Sequence, residues 1–413
     1  MVMFSQGWLV HQLEESPLYL GYVGLANAVP AIGLNLFGGV FADKLDRRRL
    51  IMVTQSIIAA LVLLLATLTV LELVKVWHVL VIAFVTGAVN AFDQPARQAL
   101  YPALIDRKVM MSAVALNSSI WQGTRIVAPA MAGLVIAIAG TATAFYTGAF
   151  GFVAMAVVMY GLDVPRVERR STGSTGSDML EGLKFIKGNS VFSFLIGMTF
   201  FNSFFGMAYI TMMPIFAVDI LGVGPDKQGY LLMSGGAGAL MTTFILGSVG
   251  NFPRKGLFLI GGAAMFGLAV AAFALTSHFV GWYGLALVLM FSIGVFNSTY
   301  MISVMSSLQL MVPDHMRGRV MGFYGMVWSI MPLGAMQAGA VAWAVGRPFG
   351  VPGVSVAITI GGFAVSAFAL GPAMINQRVR NIGTLLLQIE RTSEEEEEEK
   401  VPASQASSSD NDD

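Results

Sequence analysis

Long apolar runs broken by short polar links set the pattern of this chain. One run extends from Leu18 to Ala42 and stops at Asp43, and the next opens at Leu50. Between them, residues 43–49 hold four cations and two carboxylates. A helix needs about 20 apolar residues to cross roughly 30 Å of hydrocarbon. By that measure the first half of the chain predicts spans near 1–13, 18–42, 50–73, 77–99, 113–138 and 142–162. The second half predicts 191–218, 228–250, 257–277, 281–308, 320–345 and 353–373, which makes twelve. The first run meets Glu14 and Glu15 too soon to cross, so it reads as a truncated helix whose beginning is missing. It has neither the basic start nor the small-residue cleavage site of a signal peptide.

The polar links carry the orientation. Lysine and arginine in short loops resist translocation, so the 43–49 link turns on the cytoplasmic side. Alternate links then place Arg107, Lys108, Arg166, Arg169, Lys184, Arg254, Arg317 and Arg378 inside, among other cations, against only Lys75, Lys227 and Arg347 outside. Both termini are cytoplasmic on this reading. Residues 163–190 form the longest interior polar stretch, a Ser/Gly/Thr linker followed by a short amphipathic run. It separates a six-span half, 1–162, from a second, 191–375. The tail, 376–413, carries six consecutive glutamates and reads as a disordered acidic end.

Composition agrees with a membrane protein. The 413 residues are 56% apolar and 12% charged, against about 25% charged in soluble domains. Mean hydropathy is +0.72. Zero net charge leaves no basic face for nucleic acid. Cysteine is absent, and the four histidines (11, 78, 278 and 315) show no metal-ligand spacing. No phosphate-cradling Gly-x-x-x-x-Gly-Lys-Ser/Thr loop and no nucleophile–base constellation appears, so neither ATP hydrolysis nor enzymatic chemistry is expected, and no cofactor.

The halves repeat each other at an offset of 208. Pro17, Gly21 and Tyr22 return as Pro225, Gly229 and Tyr230. Gly39 returns as Gly247, Asp43 as Asn251, Arg47 as Lys255 and Asp106 as Asp314. Parallel six-helix repeats about an axis along the membrane normal build one class of transporters.

Three motifs carry a family resemblance. Gly39-x-x-x-Asp43-Lys-x-x-Arg47-Arg48-Arg49 resembles the signature between the second and third helices of the major facilitator superfamily. Ala128-Pro129-Ala-Met-Ala-Gly133 resembles the fifth-helix signature of its antiporters, with alanines at two usual glycines. Asp93-Gln-Pro-Ala-Arg97-Gln-Ala-Leu-Tyr-Pro-Ala-Leu and Ala113-Val-Ala-Leu-Asn-Ser-Ser are most similar to the secretion-effector branch, with its enterobactin exporters and macrolide-efflux proteins. The resemblance implies an all-α integral membrane protein of twelve transmembrane helices in two parallel pseudo-repeats. It also implies a monomer in the cell membrane that exports an amphipathic small molecule in exchange for protons, by alternating access.

That reading assigns candidate residues. The cytoplasmic gate comprises Gly39, Asp43, Arg47, Arg48, Asp106, Asp314, Arg317 and Arg319, with Arg47 or Arg48 pairing an acid elsewhere. A plain topogenic loop, and Asp106 and Asp314 as helix caps, are the blander alternatives. Asp93 and Arg97, at i and i+4, form a charge pair across a backbone that Pro95 is expected to disturb. It serves proton coupling or merely snorkels to water. Arg125 joins that pair or holds an anionic substrate. Pro129 and Gly133 permit close contact and a bend. Gln6, Asn90, Trp121, Asn202, Tyr209 and Asn297 are candidates for the substrate cavity, though interhelical hydrogen bonding also accounts for such residues. An uptake permease and a non-transporting scaffold remain open alternatives.

Overall fold

The computed structural model describes residues 1–44, 46–100, 104, 110–162, 175–249, 255–349 and 352–384, excluding the side chains of 35–44 and some others near helix ends. The described residues are almost wholly helical. In order they form α1 (Val2–Leu13), α2 (Pro17–Lys44), α3 (Arg47–Val70), α4 (Val76–Leu100), α5 (Met110–Gly161) and α6 (Thr175–Gly188). Then come α7 (Ser190–Phe201), α8 (Ala208–Thr211), α9 (Met213–Ile215), α10 (Pro225–Val249), α11 (Lys255–Phe279) and α12 (Tyr283–Met311). The chain continues as α13 (Asp314–Trp328), α14 (Met331–Phe349), α15 (Gly353–Ile375) and α16 (Gln377–Arg380).

These are the twelve spans in slightly different pieces. α5 holds two, because Gly140 (φ 83, ψ 167) reverses the chain without a polar loop, a conformation that suits glycine. α7, α8 and α9 form one span, interrupted by π-helical turns at Asn202–Gly206 and Phe216–Ile220 and by Pro214. α13 and α14 form another, interrupted at Ser329. Among the described residues, ten stretches are long and apolar enough to cross a membrane, Ile126–Gly161 counting once. α1 is shorter, at 12 residues. The linker before α6 and residues 385–413 of the acidic tail lie outside the described residues, whereas the start of that tail, expected to be disordered, forms the short helix α16.

The repeat is visible in the helix starts. α2 and α10 begin at Pro17 and Pro225, and α3 and α11 at Arg47 and Lys255, each pair 208 apart. The halves meet along two equivalent seams, α2 on α14 and α10 on α5. A Cβ added to Gly339 would stand 2.7 Å from the Pro17 carbonyl oxygen, and one added to Gly133 would stand 2.1 Å from that of Pro225. Gly21 faces the Met336 backbone and Gly229 the Pro129 carbonyl just as closely, at 2.9 and 2.6 Å. Lipid is as apolar as any side chain, so helices in it associate through such close packing rather than hydrophobic exclusion. Among the described residues, these close contacts between halves run from mid-bundle to the end away from residues 43–49.

A valine at position 133 meets backbone that cannot yield. Gly133→Val is expected to cost about 1–3 kcal/mol or more, read as a lower unfolding midpoint in detergent. Gly123→Val on the same helix, where the added Cβ meets nothing within 4 Å, should leave the midpoint unchanged.

Candidate functional site

Three helices converge beside residues 43–49, and their sequence explains how. Asp46 caps α3, its carboxylate accepting from the Arg49 amide at 3.2 Å. One residue into that helix, Arg48 reaches the other way. Its Nε donates to the Met159 carbonyl at 2.8 Å and its Nη2 to the Tyr160 carbonyl. The expected acid partner for Arg48 is therefore replaced by the last carbonyls of α5, which an arginine satisfies while opposing the helix dipole. Ile51, Ala96, Leu100 and Met159 fill the space between α3, α4 and α5.

Asp93 lies against this small core, 4% exposed. Its Oδ2 accepts from Arg97 Nε at 2.5 Å, one turn along α4. Its Oδ1 accepts from Thr54 Oγ1 at 2.6 Å and from Gln55 Nε2 at 3.0 Å, both on α3. Pro95 does not open the helix between Asp93 and Arg97, contrary to the sequence expectation: α4 is continuous from Val76 to Leu100. Three donors on one carboxylate satisfy its ionised form. Two of those donors come from α3, so the contact between α3 and α4 runs through this carboxylate.

The other candidates fall in several places. Arg47 opens α3. Arg319, on α13, pairs with Glu181 of the linker helix α6 at 3.0 Å, and Gly182 packs against Arg319 and Phe323. Asn202 Nδ2 donates to Asn297 Oδ1 at 3.2 Å, so these two cavity candidates hold α12 to the π-helical turn after α7. The Asn202 Oδ1 is buried without a partner among the described residues. Tyr209 is in the main core, Gln6 is buried on α1, and Asn90 is half-buried one turn before Asp93. Pro129 and Gly133 make the close contacts of the α5–α10 seam, while the break in α5 falls later, at Gly140. Asp314 is the first residue of α13, where Pro313 occupies the cap position without a side-chain bond. Asp106 and the side chains of Gly39, Asp43, Trp121, Arg125, Asp314 and Arg317 lie outside the described residues.

Comparison with known proteins decides the family. The profile of the transmembrane secretion effectors, a group of the major facilitator superfamily, matches residues 1–398. The chain belongs to that family. Among the transporter's relatives, the staphyloferrin A transporter of Staphylococcus aureus is 25% identical over 357 residues, 84% of this chain and 87% of that one. The multidrug efflux pump Tap of Mycolicibacterium fortuitum is 26% identical over 351 residues, 82% of this chain and 84% of that one. The macrolide efflux protein A of Enterococcus faecalis is 24% identical over 255 residues, 61% of this chain and 77% of that one. In fold, the transporter resembles the nucleoside transporter NupG (TM-score 0.64, 15% identity, covering 91% of this chain and 96% of that one). It also resembles a bacterial homologue of the lysosomal transporter Spinster, solved inward-facing and unoccupied (TM-score 0.67, 14% identity, 94% and 96%).

Sequence reading missed Thr54, Gln55 and Glu181. Thr54 and Gln55 are adjacent polar residues inside an apolar run, a signal that was present. Glu181 gave none, because its partner is set by where the linker helix docks. The Asp93 cluster makes a sharp energetic prediction. Arg97→Ala strands the buried carboxylate and should cost about 1–3 kcal/mol in unfolding measurements. Adding Asp93→Asn should recover most of that loss, a coupling that two independent residues would not show.

Proposed function

We propose that this transporter exports an amphipathic small molecule in exchange for protons, and that Asp93 carries the coupling. The observation behind it is a carboxylate buried in a membrane helix and held by three donors from two helices. Ionisable groups in such a position are costly and mark ion pathways. The efflux activities named for Tap and for the macrolide efflux proteins support the outward direction.

The mechanism follows from which end is closed. With residues 43–49 on the cytoplasmic side, as the cation distribution favours, the glycine seams lie on the outer side. The described arrangement then reads as the state that loads substrate from the cytoplasm. Substrate and proton each shift the balance between two rigid-body states only through their unequal affinity for them. A proton on Asp93 removes the charge to which Thr54 and Gln55 of α3 donate, and so weakens α3 against α4. Residues 43–49 lead directly into α3, so the change is delivered to the gate where Asp43 stands. Asp43, Arg47 and Arg317 complete the gate on this reading, Arg125 joins the Asp93 pair or holds an anionic substrate, and both termini are cytoplasmic.

Inverted membrane vesicles with an acidic interior, given a panel of fluorescent amphipathic dyes from outside, test the proposal. Gradient-driven dye accumulation is the expected result, and transport only in the opposite direction would show uptake instead. Asp93→Asn should abolish the response to the gradient while dye binding persists. Asp43→Asn should leave binding nearly intact and slow turnover about 10- to 100-fold, the equivalent of losing one or two gate hydrogen bonds. Turnover at the wild-type rate would remove Asp43 from the gate.

A further inference from the structure

His11 has no part in the transport reading, yet it occupies a singular position. It lies near the end of α1, and its side chain is 5% exposed. Its Nε2 stands 3.2 Å from Asp219 Oδ1. Asp219 belongs to the other half, in the π-helical turn Phe216–Ile220 that ends the seventh span. Positions 11 and 219 are separated by the same 208 residues that relate Pro17 to Pro225. They are therefore equivalent positions in the two halves. Equivalent residues that touch must lie on the axis relating the halves, so this pair sits where the halves must part for that end to open. The other ring nitrogen, Nδ1, is buried with no partner among the described residues.

We propose that His11 and Asp219 form a proton-binding latch that closes the bundle at the end opposite residues 43–49. The proposal deepens the transport reading, on which it rests for the proton as coupling ion. An imidazolium donating to a carboxylate makes a hydrogen bond roughly twice as strong as a neutral pair. A buried imidazolium without that carboxylate is strongly disfavoured. Opening this end separates the two groups and hydrates both, which removes what favoured the bound proton. Linkage is reciprocal. If closure favours the proton, the proton favours closure, and closure is lost as pH rises through the imidazole range.

The surroundings leave this pair to act alone. Among the described residues, Asp219 is the titratable group within ion-pair distance of His11. The exposed Glu14 and Glu15 follow it in the link to α2, which contributes Tyr19 and Tyr22 at its start. From α4 the nearest titratable residue along the chain is His78, whose Nδ1 accepts from the Lys75 amide at 3.0 Å. From α5, Tyr146 faces Thr67 at 3.4 Å, and Thr141 Oγ1 donates to Gln12 Oε1 at 3.0 Å. On the other half, Asp226 and Lys227 open α10, with Lys227 over the Tyr283 ring.

The chain has no cysteine, so two introduced cysteines can be spin-labelled without background. Leu73 in the first half and Val280 in the second are exposed at this end. In the full chain, reconstituted in lipid nanodiscs, the distance between labels there reports opening. Between about pH 5.5 and 8.5, the open-to-closed ratio should rise about tenfold. His11→Gln, which keeps a hydrogen-bond donor, should flatten that response. Asp219→Asn should do the same and serves if the first variant does not fold. A wild-type ratio indifferent to pH, or a response that survives in either variant, would overturn the latch. The readout is conformational and so separates two failures. Flat distances with gradient-driven export intact would reject the latch alone, whereas pH-responsive distances without export would reject the transport reading.

Discussion

Nothing in a bilayer pushes two apolar helices together in preference to lipid, and the architecture of this transporter follows from that constraint. The halves are held by shape at Gly133 against Pro225 and Gly339 against Pro17, where the absence of a Cβ lets backbones approach. Dispersion grows steeply as atoms close, so the glycines in each seam do what a larger apolar contact does in water. Such a seam has little chemical specificity. Two rigid bodies joined in this way can exchange one set of contacts for another at modest cost, as alternating access requires.

The same solvent governs the charges. Hydrocarbon offers no hydrogen bonds, so each cation or carboxylate in the bundle must find its partner within the protein. Arg48 finds the carbonyl ends of α5, Asp93 finds Thr54, Gln55 and Arg97, and Arg319 finds Glu181. These partners are of different kinds. A helix terminus is a permanent feature of the fold, whereas a carboxylate facing three side-chain donors can be discharged by one proton. The linker helix α6 is fixed to the second half by Arg319, by Gly182 against Phe323 and by the stacking of Phe185 on Phe192. It therefore travels with that half.

Much of this was legible in the sequence because membrane helices write their length directly as apolar runs. The spans, the repeat and the break near Gly140 could all be read without tertiary information. The pairing of Asp93 with Arg97 was also legible, since i and i+4 fix both ends on one helix. The rest needed packing. Which face of α3 meets Asp93 depends on helix rotation, and apolar periodicity is weak when lipid and core are equally apolar. Pro95 looked disruptive because an interior proline removes a hydrogen bond. The helix nevertheless runs through it from Val76 to Leu100. An acid was expected for Arg47 or Arg48; Arg48 instead takes a helix C-terminus, which is invisible in a loop motif.

The repeat also separates what the fold needs from what it merely carries. α3 and α4 in the first half correspond to α11 and α12 in the second. At the 208-residue offset, Thr54 and Gln55 become Gly262 and Ala263, while Asp93 and Arg97 become Met301 and Met305. The register holds in space: a Cβ on Gly262 would lie 3.1 Å from the Tyr300 amide nitrogen, so position 262 faces the turn before Met301 as Thr54 faces Asp93. Ala263 is fully buried in that packing. The second half thus builds the same helix pair from glycine, alanine and methionine, with no charge to desolvate. A buried ion pair is seldom more stabilising than apolar residues of similar volume. The Asp93 cluster is therefore a cost that the fold can do without. That asymmetry between otherwise equivalent helix pairs is what the proposed coupling role of Asp93 accounts for.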